Sequence, residues 1–189
     1  MTDRTHGWEA VADRFAAIRS DVGVDVVRRW AADLPPGGSV VDIGCGTGRP
    51  VALALAGAGL AVSGVDPSPT LLAAFRRALP DAPAACEAAE DSDYFGRRFD
   101  GAVAIGLLFL LPPATQAVVI GRVARALRPG GRFLFSAPAM ACRWTDTLTG
   151  RESRSLGEAA YRALLEEAGL RLVEGYADSG GNHYFAAVG

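Results

Sequence analysis

The sequence predicts an α/β fold, a mainly parallel sheet covered by helices on both faces, and three observations carry that prediction. Short β-branched runs alternate with amphipathic segments of about ten residues or more, as successive β-α-β crossovers require. The first of these runs ends in glycines spaced GxGxG, Gly44, Gly46 and Gly48. The chain closes on two strand-like runs around Asp178-Ser179-Gly180-Gly181-Asn182, which read as an antiparallel hairpin.

Ahead of the alternation, Trp8, Val11, Ala12, Phe15 and Ile18 recur at three- and four-residue steps, the apolar stripe of an amphipathic helix. A second helix over Val24–Leu34 stops at Pro35-Pro36-Gly37-Gly38. A single domain is expected, with residues 1–37 as a helical cover and 38–189 as the core. Ser39–Ile43 reads as a buried strand, Arg49–Ala58 as a helix, Leu60–Val65 as a second strand, and Pro69–Leu79 as a helix stopped by Pro80. A third strand, Ala84–Glu87, leads into the polar loop Ala88–Arg98. Phe99–Ile105 is the fourth strand; the apolar run within it suits a strand buried on both faces. The helix Ala114–Leu127, the turn Pro129-Gly130-Gly131 and the strand Arg132–Ala137 follow. Met140–Gly157 reads as a long polar loop carrying Arg143, Asp146, Arg151 and Arg154, and long loops in compact domains are often functional. A helix over Leu156–Ala168 precedes the closing strands Leu170–Tyr176 and His183–Val188.

Composition narrows the function. The 189 residues suffice to bury a core without disulfides or metals. Nineteen basic residues, all arginine, stand against 21 acids for a net charge of −2, so no strong global field gathers polyanions. Neither a nucleic acid nor a membrane is an expected partner; the apolar run Gly101–Pro113 falls short of the roughly 20 residues of a membrane helix. The polar start, Met1–Ala10, does not read as a signal peptide, and a cytoplasmic location is expected. Cys45, Cys86 and Cys142 are odd in number and widely spaced, forming neither a disulfide framework nor a metal pair, so no metal is expected.

Chemistry enters at the glycine loop. Glycine lets the chain pass close to a ligand, and the following helix N-terminus is expected to offer N–H donors. A dinucleotide fingerprint needs a third glycine where Arg49 stands, which disfavours a nicotinamide-dependent oxidoreductase. Asp42 precedes the loop, and Asp66 ends the second strand about 20 residues on, where a carboxylate accepts both ribose hydroxyls. Ser68, just before Pro69, is placed to cap the next helix.

Val40–Gly48 resembles motif I of the class I S-adenosylmethionine-dependent methyltransferases, in the manner of their type 11/25-like small-molecule group. Val62–Ser68 resembles motif II, and Phe99-Asp100 and Leu127–Phe133 resemble the fourth- and fifth-strand signatures; together they cover Val40–Pro138 in order. The resemblance implies a Rossmann-like three-layer sandwich, with seven mainly parallel strands and an antiparallel last strand. It implies S-adenosyl-L-methionine as cofactor, with backbone at Gly44, Cys45, Gly46 and Gly48 around its methionine part and Asp42 supporting the loop. Asp66, beside Pro67, should bind the ribose; Glu87 and Ala88 should border the adenine. Ile105, Gly106 and Leu107 should face the cofactor amino group and the acceptor channel.

For the acceptor side, the closing hairpin should turn over at the functional end of the sheet. His183 there is the candidate substrate contact or general base, with a structural role in the turn as the other reading. His6 falls in the polar, mobile start. Trp8, Phe15, Phe109 and Trp144, with Asn182 and Leu107, are candidates to line an acceptor pocket, against the plainer reading of core packing. Leu111-Pro112-Pro113-Ala114 lacks the polar and aromatic residues of an amino-directed nucleic-acid signature, so Pro112-Pro113 is read as a helix start. The expected activity is methyl transfer to a small molecule, in a monomer or homodimer. A cofactor-binding regulatory or partner subunit is the alternative.

Overall fold

The computed structural model describes residues 3–189; Met1 and Thr2, part of the polar start read above, lie outside them. The strands are β1 (Ser39–Ile43), β2 (Ala61–Val65), β3 (Ala84–Ala85), β4 (Phe99–Ala104), β5 (Leu127–Ser136), β6 (Cys142–Thr145), β7 (Glu152–Ser155), β8 (Arg171–Ala177) and β9 (His183–Val188). The helices are α1 (Ala12–Ile18), α2 (Val24–Ala31), α3 (Val51–Gly57), α4 (Pro69–Ala78), α5 (Pro113–Ala126) and α6 (Glu158–Glu167). Seven strands form one sheet in the order β3-β2-β1-β4-β5-β9-β8. The pairs among β1 to β5 are parallel, while β9 runs antiparallel to both β5 and β8. The expected seven-stranded sheet with an antiparallel last strand is the one observed.

Both faces of the sheet are buried. On one, Phe99, Phe133, Phe135 and Phe185 pack with Tyr161 of α6 and with Val119, Ile120 and Val123 of α5. On the other, Val40, Val62, Val103 and Leu134 meet Trp30, Leu55 and Phe75 from α2, α3 and α4. The alternation Phe133, Leu134, Phe135 sends neighbours to opposite layers, as the pleat requires. Each such side chain contributes about 1.5–3 kcal/mol when fully buried. Gly101 lets α2 approach β4, since a Cβ there would lie 2.8 Å from the Trp30 ring.

Several boundaries differ from the sequence reading. The helix expected from Arg49 starts at Val51, because Gly48 stays left-handed at φ +78° and Pro50, at the N-cap, lacks an N–H. The third strand shrinks to Ala84–Ala85, and the fifth extends back to Leu127, with a register shift opposite Phe99/Gly101. Ile18, counted in the apolar stripe of the first helix, is 60% exposed. The stretch Met140–Gly157, expected as a loop, contains the antiparallel hairpin β6–β7. Its turn is closed by Asp146, whose Oδ1 accepts from the backbone N–H of Leu148 and Thr149 and from the Thr149 hydroxyl. Pro112 and Pro113 begin α5, as expected.

Candidate active site

The carboxyl ends of β1, β2 and β4 share one edge of the sheet, and the loops that follow them enclose a cleft of about 900 Å³, its open mouth included. Open parallel sheets bind ligands at this end. Gly44, Gly46 and Gly48 all have positive φ (70°, 53° and 78°), a conformation that other L-residues adopt only with strain. The loop so formed turns its own donors inward. The N–H groups of Gly44 and Cys45 donate to the Val65 carbonyl at 2.8 and 3.1 Å, and that of Gly48 donates to the Cys45 carbonyl at 2.8 Å. The Gly46 N–H donates to Asp66 Oδ2 at 2.8 Å. The N–H groups of Gly44, Cys45, Gly46 and Gly48 are therefore all engaged within the protein, leaving the loop's carbonyl oxygens at Gly44 and Gly46 as what it turns to a ligand. A phosphate needs donors, so this loop suits a ligand with a cationic end.

Two carboxylates stand beside it. Asp42, 2% exposed, has an Oδ2 with no hydrogen-bond partner, and burial pushes its pKa up to about 7 against the opposing charge of Arg19. Asp66 accepts from the Ser68 N–H (2.9 Å) as well as from Gly46; burial still raises it to about 6, with the Glu9 charge adding to the rise. Asp66 thus braces the turn and lines the cleft at once, while Ser68 caps α4 by accepting from the Leu71 N–H at 3.1 Å. Cys45 also faces the cleft, but burial holds its thiol well above the usual range, which makes it a poor nucleophile.

Most of the residues expected around the ligand meet here. Asp42, Gly44, Cys45 and Gly46 line one wall, Asp66, Pro67 and Ala88 another, and Ile105, Gly106 and Leu107 a third. Trp8 and Phe15 close over them from the N-terminal cover, their rings edge to face at 5.2 Å.

Other expected residues lie elsewhere. Gly48 is not in the cleft wall; a Cβ on it would meet Phe75 at 3.0 Å. Glu87 is exposed and outside the lining, and Glu90 takes the place near the mouth. Phe109 and Trp144 pack on each other at 5.3 Å, away from the cleft, joining β6 to the turn after β4. Asn182 donates to Asp178 at 2.9 Å, tying the β8–β9 turn. His183 stacks edge-on against Phe185 at 4.5 Å, its Nε2 unpartnered, and is not part of the cleft wall. The reason is alternation: His183 shares its face of β9 with Phe185, which packs into the α5/α6 layer.

The sequence reading missed Arg4, Thr5, His6, Arg19, Arg49 and Glu90, all of which line the cleft. His6 enters it from a tight turn (φ +49°, followed by Gly7 at +87°), with Nε2 3.5 Å from Glu90 Oε1. The turn itself left a trace in the sequence: the Asp3 carboxylate accepts from the N–H groups of Thr5 and Gly7, both at 2.9 Å, a turn-forming role typical of aspartate. No local pattern signals that Arg19 or His6 docks on the core.

A sheet of this order, with a glycine loop and two buried carboxylates at its carboxyl edge, defines a Rossmann-like α/β class of proteins. The model of the methyltransferase domain family matches residues 11–175, and the chain belongs to that family. An uncharacterized methyltransferase of Synechocystis is 30% identical over 163 residues, spanning 79% of this chain and 74% of the relative. The methyltransferase GfsG of Streptomyces halstedii is 32% identical over 162 residues; the match spans 75% of this chain and 56% of the relative. Among solved structures, the 1,6-didemethyltoxoflavin-N1-methyltransferase of Burkholderia thailandensis, crystallised with 1,6-didemethyltoxoflavin and S-adenosylhomocysteine, has the same fold. It superposes with a TM-score of 0.75 at 21% identity, covering 100% of this chain and 91% of that one.

Proposed function

We propose that the chain transfers a methyl group from S-adenosyl-L-methionine to a small-molecule acceptor held in the same cleft. The observation that carries this reading is the unpartnered, buried carboxylate oxygen of Asp42 beside a loop whose glycines have carbonyls, not amides, to offer. An orphaned buried carboxylate asks for a cation or a donor. The residues present fit the cofactor. Asp42 and the carbonyls of the Gly44–Gly46 loop hold its ammonium end, and Arg19, reaching in from the cover, meets its carboxylate. Asp66 takes the ribose hydroxyls with the lone pairs not committed to Gly46 and Ser68. Ala88 and Ala89, with Leu107 and Leu111, enclose the base.

When bound, S-adenosylmethionine supplies an electrophilic methyl carbon on a positively charged sulfur. The protein's own work is alignment and exclusion of water: Trp8, Phe15 and Leu107 form apolar walls that hold an acceptor in line. Of the two imidazoles, His6 rather than His183 lines the cleft, beside Glu90 at its nucleoside end. A small-molecule acceptor also agrees with the crystallised relative above, which holds 1,6-didemethyltoxoflavin, and with the mild negative charge. Among the described residues no helix is long and apolar enough to cross a membrane.

Calorimetry with S-adenosylhomocysteine tests the reading. Wild type is expected to bind, and Asp66→Ala to bind more than tenfold more weakly; no binding at millimolar ligand refutes the proposal. An unchanged affinity in Asp66→Ala refutes the ribose contact.

A further inference from the structure

We infer that Glu9 is a latch: it fixes the strap Asp3–Val11 over the nucleoside end of the cleft and sets how long the bound nucleoside stays. The inference rests on the cofactor reading above and adds a residue to it. Arg4, Thr5, His6 and Trp8 of this strap line the cleft from above. Glu9 follows Trp8, and its carboxylate reaches the start of α4, accepting from Thr70 Oγ1 at 2.6 Å, from the Thr70 N–H at 3.3 Å and from the Ser68 hydroxyl. The helix N-terminus itself favours a negative charge there.

The strap has other ties as well. Arg4 meets Asp91 at 3.0 Å and Glu90 at 3.5 Å, and Asp3 meets Arg151 at 2.8 Å, but Arg4 and Arg151 are each at least half exposed. Solvent-exposed ion pairs of this kind contribute little. What sets Glu9 apart from them is its partner, Ser68, which also holds Asp66 of the cleft wall.

The latch is also joined to the site. Ser68 donates its N–H to Asp66 Oδ1 at 2.9 Å and its hydroxyl to Glu9. Asp66, Ser68 and Glu9 thus form one continuous chain of hydrogen bonds from the cleft wall to the strap. A ligand that fixes Asp66 fixes Ser68, and by linkage a closed strap holds that ligand more tightly. Glu9 touches neither the cofactor site nor the acceptor; it is a positioning residue acting through Ser68. In enzymes covered by a lid, release of product often limits turnover.

Stopped-flow binding of S-adenosylhomocysteine separates this role from a purely structural one. In Glu9→Ala, dissociation is expected to be about tenfold faster with association unchanged or faster. Thr70→Val, which removes one donor at an exposed position, should act in the same direction and serves if Glu9→Ala does not fold. Dissociation within twofold of wild type in a folded variant overturns the latch, as does slower association with unchanged dissociation. Trypsin adds a readout that needs no ligand: cleavage at Arg4 and Arg14 should be faster in the folded variants than in wild type, and equal rates overturn the proposal. Failure of the cofactor reading shows separately, as a wild type that binds nothing.

Discussion

Asp42 and Asp66 are the residues whose chemistry is most altered by the fold. Both are pushed up by burial, to about 7 and about 6, so in the free protein each gains protons well above the ordinary carboxylate range. A ligand with a cationic end prefers the ionised Asp42 and lowers its pKa on binding. Binding therefore releases protons below about pH 7, and affinity must rise with pH up to that point and then level off. S-adenosylhomocysteine is expected to bind roughly tenfold more weakly near pH 5.5 than near pH 8, as measured by calorimetry. A flat profile would mean that neither carboxylate meets the ligand. At the same scale, the two histidines part company: His183 packs on Phe185 outside the cleft wall, and His6 lines the cleft beside Glu90.

At the scale of elements, the hairpin β6–β7 lies outside the cleft and touches the N-terminal strap that covers it. The hairpin is held by the Phe109–Trp144 contact, and its turn meets the strap through Arg151 and Asp3. An aromatic pair of this kind contributes about 0.5–1.5 kcal/mol beyond its buried area. A double-mutant cycle of Phe109→Leu and Trp144→Leu, followed by urea unfolding, should give a coupling in that range. The affinity for S-adenosylhomocysteine should stay within twofold of wild type, because neither ring lines the cleft. A large loss of affinity would place this pair in the cofactor site after all. Elements also explain the missed hairpin: four-residue strands of mixed polarity such as Cys142–Thr145 carry no clear period, and only pairing with Glu152–Ser155 makes them strands.

For the whole molecule, a ligand that binds the native cleft and not the unfolded chain raises stability. A ligand at about one hundred times its dissociation constant stabilises a folded protein by about 2.7 kcal/mol. For a chain of 189 residues that corresponds to a rise in Tm of roughly 5–11 °C. Scanning calorimetry with saturating S-adenosylhomocysteine should show a shift of that size, and no shift would contradict binding to the native state.

What the sequence by itself determined is the scaffold and the glycine-loop wall of the cleft. The β-branched runs, the glycine triplet and the acids Asp42 and Asp66 are local patterns tied to chain positions that the sheet order fixes, so their meeting at one edge followed from the fold class. Tertiary structure alone decided the rest. Arg19, His6 and Glu9 sit on segments whose place depends on packing and on partners about thirty to eighty positions away, such as Arg49, Glu90 and Ser68. His183 lies outside the cleft wall because the strand's pleat turns it toward Phe185, and a strand's ends can be read from sequence more easily than the face each residue takes. The direction of the loop's N–H groups was likewise settled by three-dimensional contacts, since Val65 and Asp66 claim them only once β2 lies beside β1. Local periodicity records what a residue is built into, and only the folded chain shows what it is brought against.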